Sequence, residues 1–146
     1  MPKASIFPIK PEDLDKVWGV LSPFIEESMS YGLKTHDLSD IYTGIMAKTL
    51  SLWAILGAND KLCGAAITCV EVYPKMKIAC LRWIGGNDIN EWLEISLKVL
   101  AGWARQNGCD FVRSYGRKGW ERKLQPYGWE KVGSLVLLDV KNKTIH

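Results

Sequence analysis

Histidine is nearly absent from this 146-residue sequence, with only His36 and His146 present. The four cysteines, Cys63, Cys69, Cys80 and Cys109, form no Cys-x-x-Cys pair and none stands beside a histidine. That removes the usual marks of a zinc finger or a Cys–His nucleophile, and no metal-ligating set is read. Each cysteine lies in or next to an apolar run, which suits a small buried hydrophobe in a reducing compartment. No stretch reaches the roughly 18 apolar residues that a membrane span requires, so no membrane partner is expected. Met1-Pro2-Lys3-Ala4-Ser5 lacks the basic segment and following apolar run of a secretory leader, and the expected location is cytoplasmic. A formal net charge of only +3 leaves the average surface weakly attractive to polyanions. Dedicated nucleic-acid binding has no support there.

What is present is core-forming material. Hydrophobic residues make up 47% of the chain and seven are tryptophan, enough for one core without disulfide staples. No repeat, low-complexity tract or long linker divides it, and residues 1–146 read as a single domain.

Ser5–Ile9 reads as a short strand, with Pro8 pointing to an edge or bend. Pro11 starts a helix over Glu12–Leu21, in which Leu14, Val17, Trp18 and Leu21 recur at helical spacing. Pro23 is expected to interrupt it, leaving Phe24–Met29 as a second short helical piece. Asp37 or Ser39 offers an N-cap for a helix carrying Leu38, Ile41, Ile45 and Met46. Leu50–Leu56, Leu62–Val72 and Lys77–Trp83 read as consecutive antiparallel strands, joined by turns at Asn59-Asp60 and Pro74-Lys75. Asn90–Gln106 reads as a long helix with a broad apolar face, an Asp88/Glu91 capping box and a stop at Gly108. Phe111–Tyr115 is a further strand, Lys118–Gln125 a short helix and Trp129–Val140 a long last strand. A strand, long helix and strand in succession imply a parallel crossover. The expected class is α+β: a mixed, mostly antiparallel sheet of about six strands with helices on both faces.

This order, with particular residues, resembles the GNAT superfamily, whose members transfer an acyl group from coenzyme A to an amine. Ile9-Lys10-Pro11-Glu12-Asp13-Leu14 is similar to the family's entry into its first helix, and Leu62-Cys63-Gly64-Ala65-Ala66 to its apolar-Gly-small strand. Arg105-Gln106-Asn107-Gly108-Cys109 is similar to the end of its long helix, and Tyr127-Gly128-Trp129-Glu130 to the Gly-Phe-Glu opening its last strand. The resemblance spans most of the chain and implies acetyl-coenzyme A as cofactor and an amine as acceptor.

In that family a run of Gln or Arg, two residues, Gly, one residue and Gly or Ala presents backbone N–H groups to the cofactor pyrophosphate. Here Arg82, Gly85, Gly86 and Asn87 stand in that segment, with Asn87 where the second small residue falls. The resemblance therefore implies these four as cofactor residues. Asp88 and Glu91 are acidic where the family is basic, so the same segment also reads as a Gly-Gly turn into a capped helix. Leu124 occupies the place of the family's usual acid tyrosine, leaving Tyr115 and Tyr127 as replacements. Glu71 stands on the strand where members often keep a basic carboxylate, or is simply an exposed strand residue.

Arg113, Arg117, Lys118, Arg122 and Lys123 interleave with Tyr115, Trp120 and Tyr127. Such a cluster suits the 3'-phosphate of coenzyme A, a nucleic-acid backbone, an acidic protein partner or a solvated helix face. With Gly116-Arg117-Lys118-Gly119-Trp120, the chain is also loosely similar to acetyltransferase-like phage proteins with eroded cofactor loops. That likeness implies a non-catalytic virion or host-factor interaction protein, located in the host cytoplasm or the virion.

Overall fold

The computed structural model describes residues 3–116 and 118–141. The chain is α+β. Among the described residues the strands are β1 (Ser5–Ile9), β2 (Ser51–Leu56), β3 (Leu62–Val72), β4 (Lys77–Gly86) and β5 (Phe111–Ser114). The α-helices among them are α1 (Leu14–Met29), α2 (Leu38–Met46), α3 (Ile89–Gln106) and α4 (Lys118–Leu124). The sheet order is β1-β2-β3-β4-β5. The first four strands form an antiparallel meander, and β5 lies parallel to β4 after the α3 crossover. β1 is an edge strand, which lets it carry Pro8 without losing a ladder donor on an inner strand. Contacts divide the chain into two compact units, Met1–Gly116 and Arg117–His146.

α1 runs through Pro23 without a break, contrary to the expected interruption. A proline inside a helix costs about 3 kcal/mol. Leu14, Leu21 and Ile25 lie on either side of it, all fully buried, and each is worth roughly 1.5–3 kcal/mol on burial. Packing on both flanks outweighs the lost bond. α2 begins at Asp37, which accepts from Asp40 N–H at 2.9 Å, while Asp40 accepts from Asp37 N–H at 2.9 Å. That reciprocal capping box fixes the helix start.

Strand alternation gives the sheet two covered faces. Leu52, Ala54, Ala65 and Ile67 pack against Leu14, Leu21 and Ile25 of α1 and Ile41 and Ile45 of α2. Trp53, between Leu52 and Ala54, faces the other way. Its ring lies 5.5 Å from that of Trp103 on α3, and its Nε1 donates to Thr68 Oγ1 at 2.9 Å. α3 buries Trp92, Leu93, Leu97, Leu100 and Ala104, the broad face its spacing foretold, and ends where Gly108 turns to φ 74°.

Three expectations need correction. Asp88 at the start of α3 sits in the left-handed region, φ 57° and ψ 46°, and its side chain caps no helix amide, so the Asp88/Glu91 capping box does not form. A capping side chain needs an extended backbone at that position. β4 runs on to Gly86 rather than ending at Trp83. In the second unit, Trp129–Val140 is not a strand, and among the described residues the sheet has five strands rather than about six. Leu135–Leu138 is a continuous apolar run, which signals burial but names no partner to complete a ladder. Among the described residues no strand pairs with it, and Val136 is 87% exposed.

Candidate functional site

β4 outruns its parallel neighbour. It pairs with β5 only over Ile78–Leu81, yet its ladder with β3 continues to Gly86. Arg82–Gly86 therefore has β3 on one side and, among the described strands, an unpaired edge on the other. Antiparallel alternation decides where the amides point. Asn87 N–H donates to Cys63 O at 2.7 Å, making Gly64 and Gly86 a pair that exchanges no bonds. Gly86 N–H consequently turns away from β3. Ile84, two residues earlier, turns its N–H to the same side and donates to Ser28 Oγ of α1 at 3.2 Å.

The two glycines are required by close approach. A Cβ on Gly86 would collide with the Cys63 carbonyl and lie 2.6 Å from Gly64 Cα. One on Gly85 would lie 3.0 Å from Phe24 O. β3 thus presses on one glycine and α1 on the other. Arg82 lays its guanidinium 4.8 Å from the Trp83 ring centroid, and His36 approaches the same ring edge-on at 5.2 Å. The turn into α3 is held by main chain and one indole: Glu91 N–H donates to Asp88 O at 2.9 Å, and Trp92 Nε1 donates to Asn87 O at 2.6 Å. Of the four residues expected to hold a cofactor, Arg82, Gly85 and Gly86 line the open edge. Asn87 has its amide committed to β3.

Acidity surrounds this turn. Asp88, Glu91 and Cys63 border a cleft of about 280 Å³. Burial first, then the charges of Asp88 and Glu91, push the Cys63 thiol above its ordinary pKa. A second, larger opening of about 530 Å³ lies between the end of α1 and the start of α2, where Glu26, Lys34, His36 and Asp37 meet. Sequence reasoning missed it, because it depends on how the loop after Met29 folds back.

Glu71 on β3 is anchored rather than free. It accepts from the Tyr73 hydroxyl and from Arg113 Nη2 of β5 at 2.5 Å, and the same nitrogen lies 3.4 Å from Cys80 Sγ of β4. The Tyr73 hydroxyl and then Arg113 hold its carboxyl below the ordinary value. Cys80 is pushed the other way, to about 11, by burial and then by Cys69. The Arg113 guanidinium stands 5.7 Å from the Tyr115 ring, so Tyr115 joins this group at its exposed margin. Tyr73 was not singled out from sequence, and Cys69 and Cys80 were read there only as small buried hydrophobes.

Tyr127 belongs to the second unit, in the short turn Gln125–Tyr127, next to buried Leu124. Lys118, Arg122 and Lys123 are exposed on α4. Arg117 lies outside the described residues. The expected basic cluster is therefore divided: Arg113 is ion-paired within the first unit, and the remaining described members sit on the second.

No family model and no curated protein sequence matches the chain. Solved structures do. A probable acetyltransferase matches with a TM-score of 0.67 at 15% identity, over 92% of this chain and 99% of that one. The ribosomal-protein-alanine N-acetyltransferase of Brucella melitensis biovar Abortus 2308 matches with a TM-score of 0.67 at 14% identity, over 93% and 98%. The aminoglycoside 6'-N-acetyltransferase of Acinetobacter baumannii matches with a TM-score of 0.64 at 15% identity, over 93% and 97%. At such identities the fold alone is shared, and that fold is GNAT-like: a five-stranded, mostly antiparallel mixed sheet with four helices.

Proposed function

We propose that residues 1–146 act as one acyl-coenzyme A-dependent N-acyltransferase-type domain, with acetyl-coenzyme A as the cofactor and an amine as acceptor. The observation that carries this reading is the edge of β4 left open beyond Leu81, with Gly86 N–H turned outward immediately before a helix N-terminus. An extended cofactor arm adds there as a strand does, through main-chain bonds. Arg82 flanks the phosphates, Gly85 and Gly86 permit close approach, and Asn87 contributes its side-chain amide. The amine nitrogen attacks the thioester carbonyl, a C–N bond forms and the C–S bond breaks. Glu71 assists removal of the amine proton, and Tyr115 or Tyr127 protonates the departing thiolate.

A second reading has its own support. Ile84 N–H is taken by Ser28, Asn87 N–H by Cys63, and Asp88 with Glu91 oppose a pyrophosphate. This favours a non-catalytic interaction module that keeps the fold, whether phage-encoded or not, and that recruits an acidic protein through Lys118, Arg122 and Lys123 of the second unit. Calorimetry with acetyl-coenzyme A separates the two. Binding, with stabilisation of about 2.7 kcal/mol at a hundred times the dissociation constant, supports the enzyme reading. No heat and no thermal shift at millimolar ligand sinks it.

A further inference from the structure

We propose that Cys69, Glu71 and Cys80 form a site for a thiophilic divalent cation of the zinc class, with a fourth position open to water. Cys69 and Cys80 stand directly opposite each other on β3 and β4, and Glu71 is two residues further along the same strand face. The two thiol sulfurs and a Glu71 carboxylate oxygen all lie within 4.8 Å of one another. Thiolate sulfur and carboxylate oxygen are both zinc donors, three protein ligands leave the open fourth position of a catalytic-type site, and tetrahedral coordination at about 2.3 Å puts two such sulfurs roughly 3.8 Å apart.

Strand register favours a shared metal over a disulfide. Tyr73 N–H donates to Met76 O at 2.8 Å, and alternation from that turn makes Cys69–Cys80 a hydrogen-bonded pair. Such pairs hold Cα atoms about 5.5 Å apart, with side chains wider than at the intervening pairs. A disulfide needs Cβ atoms about 3.8 Å apart. Thiolates bridged by a metal do not require that approach. A cation already serves these donors: Arg113 Nη2 reaches both Glu71 and Cys80. The metal takes that place, the guanidinium moves off with its charge unchanged, and two thiol protons leave to solvent.

Cobalt(II) titrated into the full chain, reduced with a phosphine in chelator-free buffer, tests this. One equivalent should give a near-ultraviolet thiolate-to-cobalt band that zinc(II) abolishes. Cys69→Ser and Cys80→Ser should each lose at least half of it, whereas the double variant Cys63→Ser, Cys109→Ser should keep it. Glu71→Gln should weaken binding about tenfold, and Arg113→Met should tighten it by a similar factor. Circular dichroism verifies the fold of each variant, with Cys69→Ala as a second choice at the more exposed position. No band at millimolar cobalt, or a band unchanged by Cys69→Ser, overturns the site. Failure of Arg113→Met to tighten binding overturns the exchange with the guanidinium.

Discussion

Arg113 and Glu71, 42 positions apart, meet across three strands, with Nη2 of one 2.5 Å from Oε2 of the other. The pair is about one-third exposed, and Arg113 Nε is buried with no hydrogen-bond partner among the described residues. Solvent screening and that orphaned donor limit what the contact contributes. Arg113→Met should lower stability by no more than about 1 kcal/mol, and a double-mutant cycle with Glu71→Gln should return a coupling of that size. Urea unfolding measures both. A loss of several kcal/mol would mean that the guanidinium supports the β4–β5 pairing rather than the carboxylate alone.

The glycines differ sharply in what they allow. Alanine at Gly86 forces a Cβ against the Cys63 carbonyl and the Gly64 backbone, neither of which can rotate aside. Gly86→Ala should cost about 1–3 kcal/mol and disturb the turn into α3. Gly102, within α3, has nothing within 4 Å of an added Cβ. Gly102→Ala should instead stabilise by roughly 0.5–1 kcal/mol through helix propensity. Thermal melts of the two variants should move in opposite directions.

The hairpin at the heart of both candidate sites was legible in the sequence. Leu62–Val72 was read with its observed bounds, and its partner with the correct start at Lys77. Residues equidistant from Pro74-Lys75 pair, so Val72 with Lys77, Glu71 with Ile78 and Cys69 with Cys80 follow from the turn alone. The cysteine pair could have been found that way. Arg113 could not, because its place opposite Cys80 depends on the parallel register set by the α3 crossover. Asp88 misled for a local reason: its residue type favours an N-cap, but its left-handed backbone removes the geometry. At Trp129–Val140 the apolar run resembled a strand because periodicity measures side chains, whereas a strand also needs a backbone partner.

Acid should loosen the start of α2. The Ser39 hydroxyl and then the Asp40 amide lower the pKa of Asp37 below its ordinary 3.8. A lowered carboxylate contributes stability above the unfolded value and loses it as pH falls through the folded one. Wild type should therefore exceed Asp37→Asn in stability near neutrality, and the gap should close below about pH 3.8, the ordinary aspartate value. Hydrogen exchange at Asp40 and Ile41 amides reads this directly. A gap independent of pH would show that the cap is geometric and not charge-dependent.

Trp92 links the core to the open edge of β4. Its side chain is fully buried, and its Nε1 supplies a hydrogen bond to the Asn87 carbonyl at 2.6 Å. Asn87 is also where the β3–β4 ladder ends and the turn into α3 begins. Trp92→Phe removes the donor and leaves a cavity while keeping an aromatic ring, so two losses combine. Together they should cost about 2–4 kcal/mol. The turn itself should respond more locally: with the Asn87 carbonyl unpaired, the Gly86–Asp88 amides should exchange with solvent faster than those of Leu97 and Leu100 in the middle of α3. If acyl-coenzyme A binds along the β4 edge, this variant should also bind it more weakly, since the turn no longer holds Gly86 N–H in a fixed direction. Uniform acceleration of exchange across α3 would instead mean that Trp92 serves only the core.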